Sequence, residues 1–571
     1  MKNTIIYFKF ILKIFFFICI FNNTQAKSLD NLYKAKKISN YFSGIISLND
    51  NDHANSYRYL KELDGMEKNH FPFSRNYQYS LINSERFKEA FNYSKKLEKQ
   101  KIDFFESNLI AGVYYLKNKK YKQALIYFEK LENKKQFIVS QNLLSITLKN
   151  WINFTKLNES EAENIIDNIP KKFSNLKRIQ KAFLYCYHNS NLTNKSFKEL
   201  TSDKNIDFSR YSFFHANYLY NTGNKEAAYE LIDSKTKKFS TNLILNQFKQ
   251  DLKNDKKIFF SNQFNCKDLQ SIIAEFFYIT ANALSNNSLL QLSNFYLNLA
   301  KYLNPNFISY DALYAENLYI MNNFDESKVI YKKINNKGLI YSWHASKQIT
   351  RILNKENKEK ESIKFLKNKF EKIINPNIYI VYDYADFLKN NEEFKNSILY
   401  YNKILDLIDD KHFLYPKVTD GRGIAYERIG KWNEAENDFL NSLRVNPDQA
   451  YVINYLAYSW IEKGKNIERS LEMLKKANKI KKNDGYIIDS LGWAYFKLGD
   501  YKKAKKYFQL AVRIMPSDPT INDHYGDSLW MNKNEIQARY YWNYVLKLKK
   551  IEAKLKKEIK EKLIFGPKFK L

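Results

Sequence analysis

Along residues 485–518, GYIIDSLGWAYFKLGDYKKAKKYFQLAVRIMPSD, apolar and small residues recur at helical spacing on both sides of a Gly-Asp pair. Ile488, Leu491, Gly492 and Tyr495 fall on one face of a first helix, and Tyr501, Ala504, Phe508 and Ala511 on one face of a second. Gly499 and Asp500 stand between them, and Pro516 closes the unit. The same slots are filled three more times. The stretch from 416 holds Gly423, Tyr426, Gly430, Trp432, Ala435, Phe439, Ser442 and Pro447. The stretch from 450 holds Leu456, Ala457, Trp460 and Gly464, then, after one inserted residue, Ser470, Leu474 and Ala477. The stretch from 519 holds Tyr525, Gly526, Leu529, Ala538, Trp542 and Val545. Starts at 416, 450, 485 and 519 lie 34, 35 and 34 residues apart.

Weaker copies run toward the N-terminus. Starts near 274, 308, 343 and 378 keep the small-residue and aromatic slots through Ala281 and Ala300, Ala315 and Tyr331, Ser362 and Leu366, and Ala385 and Tyr401. Starts at 37, 71 and 105 do so through Gly44 and Ser56, Phe87 and Ala90, and Gly112 and Phe128, and one near 209 through Ala216 and Ala228. Twelve units result, with room for two more in 139–208 and one in 243–273. Each helical hairpin has a face it cannot cover alone, so neighbours must stack, and the stack is a solenoid whose first helices line a concave surface. Small residues such as Gly492 and Ala504 belong where two helices cross closely.

The slots and their period resemble the tetratricopeptide repeat, a 34-residue helix-turn-helix. The order YVINYLAYSW, DGYIIDSLGWAYFKLGDY and DPTINDHYGDSLWMNKNEIQARYYW further resembles long exported all-repeat proteins of alphaproteobacteria. That resemblance implies an all-α solenoid of tandem hairpins forming a superhelix, and a scaffold or adaptor without a catalytic domain. The expected organisation is a signal peptide at 1–26, degenerate helical repeats at 27–270, repeats at 271–415, well-matched repeats at 416–548, and a basic capping helix and tail at 549–571.

Composition agrees with helices. Gly (14) and Pro (9) are scarce in 571 residues, which argues against a loop-rich β protein, and Tyr (44) and Phe (42) supply packing material. The formal charge is +32. Its lysines accompany abundant Asn, Ile, Phe and Tyr, the mark of an AT-rich genome, and we read them as solvation of helix faces, with no nucleic acid expected as a partner. A Lys-rich solenoid holding an anionic polymer or membrane surface is the alternative.

The first 26 residues carry Lys2, Lys9 and Lys13, no acidic residue, an apolar run from Ile14 to Phe21, and then Thr24-Gln25-Ala26. This order predicts a secretory signal cleaved after Ala26 and a periplasmic protein. The apolar run falls short of the roughly 20 residues that span a bilayer, so membrane attachment is not predicted. Cys186 and Cys266, 80 residues apart, fall in units that are not neighbours, and two free buried thiols are expected. After 549, Ile551, Leu555, Ile559 and Leu563 make one apolar stripe on a Lys-rich helix, which predicts a cap on the last repeat, with an amphipathic membrane-surface helix as the other reading.

The candidate chemistry lies on first helices near the C-terminus. The repeat register places Tyr451, Asn454 and Tyr458, then Asp489 and Trp493 (with Phe496), then Asp523, Asp527 and Trp530 toward the concave groove, with His524 to one side. Asn and Asp can hold the backbone of a bound peptide while Tyr and Trp give rigid apolar contact, so a protein or peptide partner is expected and no cofactor. Asp523, His524 and Asp527 could instead bind a metal, or Asp489 and Asp523 act as acid and base. A His beside an Asp diverges on a helix, no fourth ligand is evident, and neither nucleophile nor oxyanion site accompanies the aspartates.

Overall fold

The computed structural model describes residues 35–132 (apart from 64 and 69), 139–203, 208–238, 242–253, 263–548 and 551–567. The expected signal peptide and the last four residues lie outside them. The described residues form helices and turns and no strand. They fall into two compact units, 1–369 and 370–571.

In the second unit the hairpins follow the sequence register. First helices are Ile378–Asn390, Tyr415–Arg428, Ala450–Glu462, Gly485–Lys497 and Pro519–Met531, and each is followed by an antiparallel partner, from Phe394–Leu405 to Glu535–Lys547. Aspartates start several of them. Asp484 caps the backbone of Tyr486 and Ile487, and Asp518 caps Ile521 behind Pro519 at the first helical position. Between the helices of a pair the chain turns through a left-handed residue, Gly430, Gly464 and Gly499 in three units and Lys533 in the last. The small slot has a definite steric cause. A Cβ on Gly492 would lie 2.9 Å from the Phe508 ring, on Gly423 2.8 Å from Phe439, and on Gly526 2.5 Å from Trp542. The glycine and the large aromatic of each hairpin therefore belong together.

Helix Ala553–Phe565, where a cap was expected, follows the last hairpin. Ile559 is fully buried, and Ile551, Leu555 and Leu563 pack on the same core as Trp542 and Val545. Gly566, at φ +70°, stops the helix against the Trp530 ring.

The first unit holds hairpins at the weaker starts as well, with two pairs, Val139–Phe154 with Glu159–Asp167 and Ser174–Tyr187 with Thr193–Thr201, in the span left for two units. Its contacts are not confined to neighbours. Helix Leu290–Leu303 packs on Phe71–Asn83 and Phe105–Lys117, helix Leu269–Asn286 on Val139–Phe154, and helix Leu243–Lys253 on Leu339–Lys355. Lys117 Nζ donates to the Leu303 carbonyl at 3.0 Å, and Gln270 to the Lys117 carbonyl at 3.1 Å. The cause lies in helix Leu269–Asn286. Ile272, Ile273, Phe276, Phe277, Ala281 and Leu284 bury it on more than one side, so a single neighbour cannot cover it.

This closure corrects the expectation of two free thiols. Cys186 and Cys266 form a disulfide, with Cα atoms 5.8 Å apart. Spacing along the chain suggested separation because it assumed a strictly linear stack. Instead the end of helix Ser174–Tyr187 meets the segment leading into Leu269–Asn286, where Phe183 and Phe264 lie 5.3 Å apart.

Candidate functional site

Successive first helices of the second unit pack against one another from Ala450–Glu462 through Pro519–Met531, while among the described residues the second helices make no comparable contact with each other. The first helices therefore line the inner face. The nine residues expected there, Phe496 among the buried ones, separate into two groups.

Tyr451 is 55% exposed, and Asn454, Tyr458 and Trp530 are half-buried. Asp489, Trp493, Asp523 and Asp527 are all buried. Their expected exposure is not what the structure shows, because groups of this same chain cover and bind them. His524 Nδ1 lies 2.9 Å from Asp489 Oδ2, and its ring stacks on Trp493 at 4.3 Å. Trp493 Nε1 donates to Glu462 Oε1 at 2.6 Å. Lys562, on the cap helix, donates to both oxygens of Asp523 and to Asp527 Oδ2, each at 2.8 Å. Trp530 is held between Arg539, 4.7 Å above its ring, and Trp542.

The electrostatics follow from burial and pairing. Burial disfavours a charge on His524, but the carboxylates of Asp489, Asp523 and Asp527 together outweigh it and raise the imidazole above its usual range. Burial and the neighbouring Asp523 charge push Asp527 up to about 7, against the pull of Lys562. Lys562 is itself raised: burial opposes its charge, and Asp527 and Asp523 favour it more strongly. Asp523 and Asp527 thus hold an ammonium, and among the described residues no group of three His, Cys, Asp or Glu is arranged to hold a metal ion.

His524 and Lys562 were missed as members of this network, the first placed beside the groove and the second on the solvated side of the cap. A signal was present. Each lies 35 residues beyond an aspartate that it binds, Asp489 and Asp527, one repeat further along.

The earlier part of the inner face is less completely paired. Asn454 Oδ1 is buried without a hydrogen-bond partner. Asp420, at the same register position one repeat earlier, is pushed up to about 6 by burial, with Lys389 opposing and Asp386 adding to the shift. Tyr458 is half-buried between Glu462 and Asp489, and burial and those carboxylates raise its hydroxyl pKa.

A TPR repeat-containing protein of Pseudomonas aeruginosa is 26% identical over 119 residues, which is 21% of this chain and 19% of that protein, so the match spans about a fifth of the relative. Among solved structures, Pseudomonas aeruginosa PilF is 15% identical, covering 31% of this chain and 81% of its own with a TM-score of 0.28. MamA from Desulfovibrio magneticus RS-1 is 17% identical, covering 30% and 94% with a TM-score of 0.26. Residues 342–551 match the tetratricopeptide repeat family, and the fold is the all-α solenoid of such hairpins.

Proposed function

We propose that this is an exported, non-catalytic tetratricopeptide scaffold of the cell envelope that binds a protein or peptide partner along the inner face of its second unit. The observation that carries the reading is the unpaired acceptor Asn454 Oδ1 midway along that face, between the half-buried Tyr458 and the exposed Tyr451. A buried carbonyl oxygen without a partner costs about 1–3 kcal/mol, which a backbone N–H of a bound segment would recover. The last repeats are filled by the chain's own His524 and Lys562, so the partner engages the helices Tyr415–Arg428 and Ala450–Glu462. Export is supported by the N-terminal charge and apolar pattern and by the Cys186–Cys266 disulfide, a bond that persists in oxidising compartments. No described helix is long and apolar enough to cross a membrane.

The test is a photo-crosslinking residue placed at 454 in cells, with Leu510, on a second helix, as control position. A discrete adduct from 454 that is absent from 510 and weakened by Tyr458→Ala supports the reading. Identical adducts from both positions, or none, overturn it.

A further inference from the structure

Helix Ala35–Asn49 is the first among the described residues and pairs with His53–Lys61. Gly44 fixes its register, because a Cβ there would lie 2.6 Å from Leu60, as one on Gly492 would meet Phe508. In later hairpins the residues two before and two after this glycine are covered. Gly421 and Ala425 flank Gly423, Ser490 and Ala494 flank Gly492, and His524 and Ser528 flank Gly526; all of these flanking residues are buried. The hairpin before supplies the cover: His524 meets Asp489 and Trp493, and a Cβ on Gly421 would lie 2.5 Å from the Tyr401 hydroxyl. Around Gly44 the same positions are Phe42 and Ile46, and each is 59% exposed.

Large apolar side chains therefore stand where small or polar ones serve elsewhere, on a stacking face that no hairpin among the described residues covers. Ile38, one turn before Phe42, is 44% exposed. Tyr41, Gly44, Ile45 and Leu48 turn to the core from the other side of the helix, so the exposed stripe is free of this unit's own packing. Its order is symmetric. Ala35, Ile38, Phe42, Ile46 and Asn49 follow one another at spacings of 3, 4, 4 and 3, with Phe42 at the centre. The charges beside it are of opposite sign at the two ends. Lys36 is exposed near the start, the helix itself carries no acid, and the exposed Asp50 follows its end, kept in helical register by its N–H donating to the Ile46 carbonyl at 2.9 Å. Lys36 and Asp50 are 14 residues apart, close to a whole number of turns, and so share one flank of the stripe.

We infer that this stripe is the contact of a homodimer, in which the same helix of a second copy packs antiparallel across a two-fold axis at Phe42. That arrangement sets Phe42 against its own copy and Ile38 against Ile46 of the second copy, brings Lys36 to Asp50 of the second copy, and opposes the two helix dipoles. A parallel pair would instead set Lys36 beside Lys36 and Asp50 beside Asp50, and like charges repel. A lipid surface favours cations along the whole polar border of such a helix, whereas this border ends on Asp50. One helix face from each copy is a small interface, so the affinity is modest. The contact lies in the first unit and does not use the inner face of the second, so either reading can fail without the other.

The test is sedimentation velocity of the full chain, which should show a reversible dimer with Kd of about 1–50 µM. Phe42→Asp, at an exposed position and checked for an unchanged unfolding midpoint, should weaken dimerisation about a hundredfold, because it buries two carboxylates against each other on the axis. Lys36→Glu and Asp50→Lys should each weaken it about two- to fivefold, and the two together restore it. Under oxidation Phe42→Cys should link to itself, and Ile38→Cys to Ile46→Cys in a mixture. Neither of these last two should link to itself, since positions 38 of the two copies stand about 12 Å apart along the axis, too far for a disulfide. A native chain that stays monomeric, a dimer that Phe42→Asp leaves intact, or self-linking of Ile38→Cys overturns the proposal. So does co-sedimentation of a monomeric chain with phosphatidylglycerol vesicles that Phe42→Asp abolishes, which assigns the stripe to a membrane surface.

Discussion

Gly492 faces the Phe508 ring so closely that a methyl group there would sit 2.9 Å from it, closer than carbon atoms normally approach. Gly423 and Gly526 meet Phe439 and Trp542 in the same way, whereas Ala457 shares its core with the smaller Leu474. Gly492→Ala is therefore expected to destabilise the second unit by about 1–3 kcal/mol, measured by denaturant unfolding, and Phe508→Leu in the same chain should recover part of the loss. An undiminished stability in the single variant would contradict the packing account. The opposite change is available in the last hairpin. Lys533 takes the left-handed conformation that Gly430, Gly464 and Gly499 take in theirs, at φ 63°. Lys533→Gly should stabilise by about 0.5–1 kcal/mol in the same measurement, because glycine carries no Cβ penalty there. These slots were readable from the sequence, since local geometry and a recurring period fix them without reference to distant residues.

At the scale of one element, the cap helix does more than cover a core. It sends Lys562 between Asp523 and Asp527, and removing the ammonium leaves two buried acids side by side. Lys562→Ala is expected to cost about 3–5 kcal/mol, and adding Asp523→Asn with Asp527→Asn should restore most of it. A loss that the asparagines leave untouched would mean that only the methylenes of Lys562 matter.

The pH dependence of this end also follows. His524, raised by Asp489, contributes stability that is full below its ordinary pKa and lost as pH rises through its folded value. Asp527, raised to about 7, holds a proton in the folded state that the unfolded chain gives up near pH 4, so it too lowers stability as pH rises toward 7. Asp489, Asp523, Lys562 and Tyr458 are the other titratable groups about the pair. Denaturant unfolding at pH 5.5 and 8, followed by tryptophan fluorescence, should show a larger loss of stability in the native protein than in Asp527→Asn. An identical pH slope in the two would refute it. The sequence showed the cap and its apolar stripe, but not Lys562, because a lysine on a lysine-rich helix looks like every other until its orientation is known.

The whole first unit depends on contacts that skip many repeats. A disulfide across 80 residues of sequence restricts the unfolded chain, and by loop-closure arguments contributes about 4–5 kcal/mol at most. Reduction, or Cys186→Ser with Cys266→Ser, should lower the unfolding midpoint of this unit and leave that of the second unit unchanged. Calorimetry with and without reductant reads both, and equal midpoints would show that closure needs no covalent link. Inside the same unit, Arg210 makes a two-point pair with the fully buried Glu275, at 2.7 and 2.8 Å, and lies over Tyr278 at 3.8 Å.

The sequence alone determined the helical hairpin, its 34-residue period, the glycine and aromatic slots, and the capping helix, because each follows from spacing within one unit and its immediate neighbour. It did not place Cys186 near Cys266, Arg210 on Glu275, or His524 and Lys562 among the aspartates of the inner face. Those meetings depend on how the first unit closes on itself and on how far each helix is rotated against the next. Small rotations accumulate over many repeats, so the tertiary structure alone decided which polar residues bind one another and which stay available to a ligand.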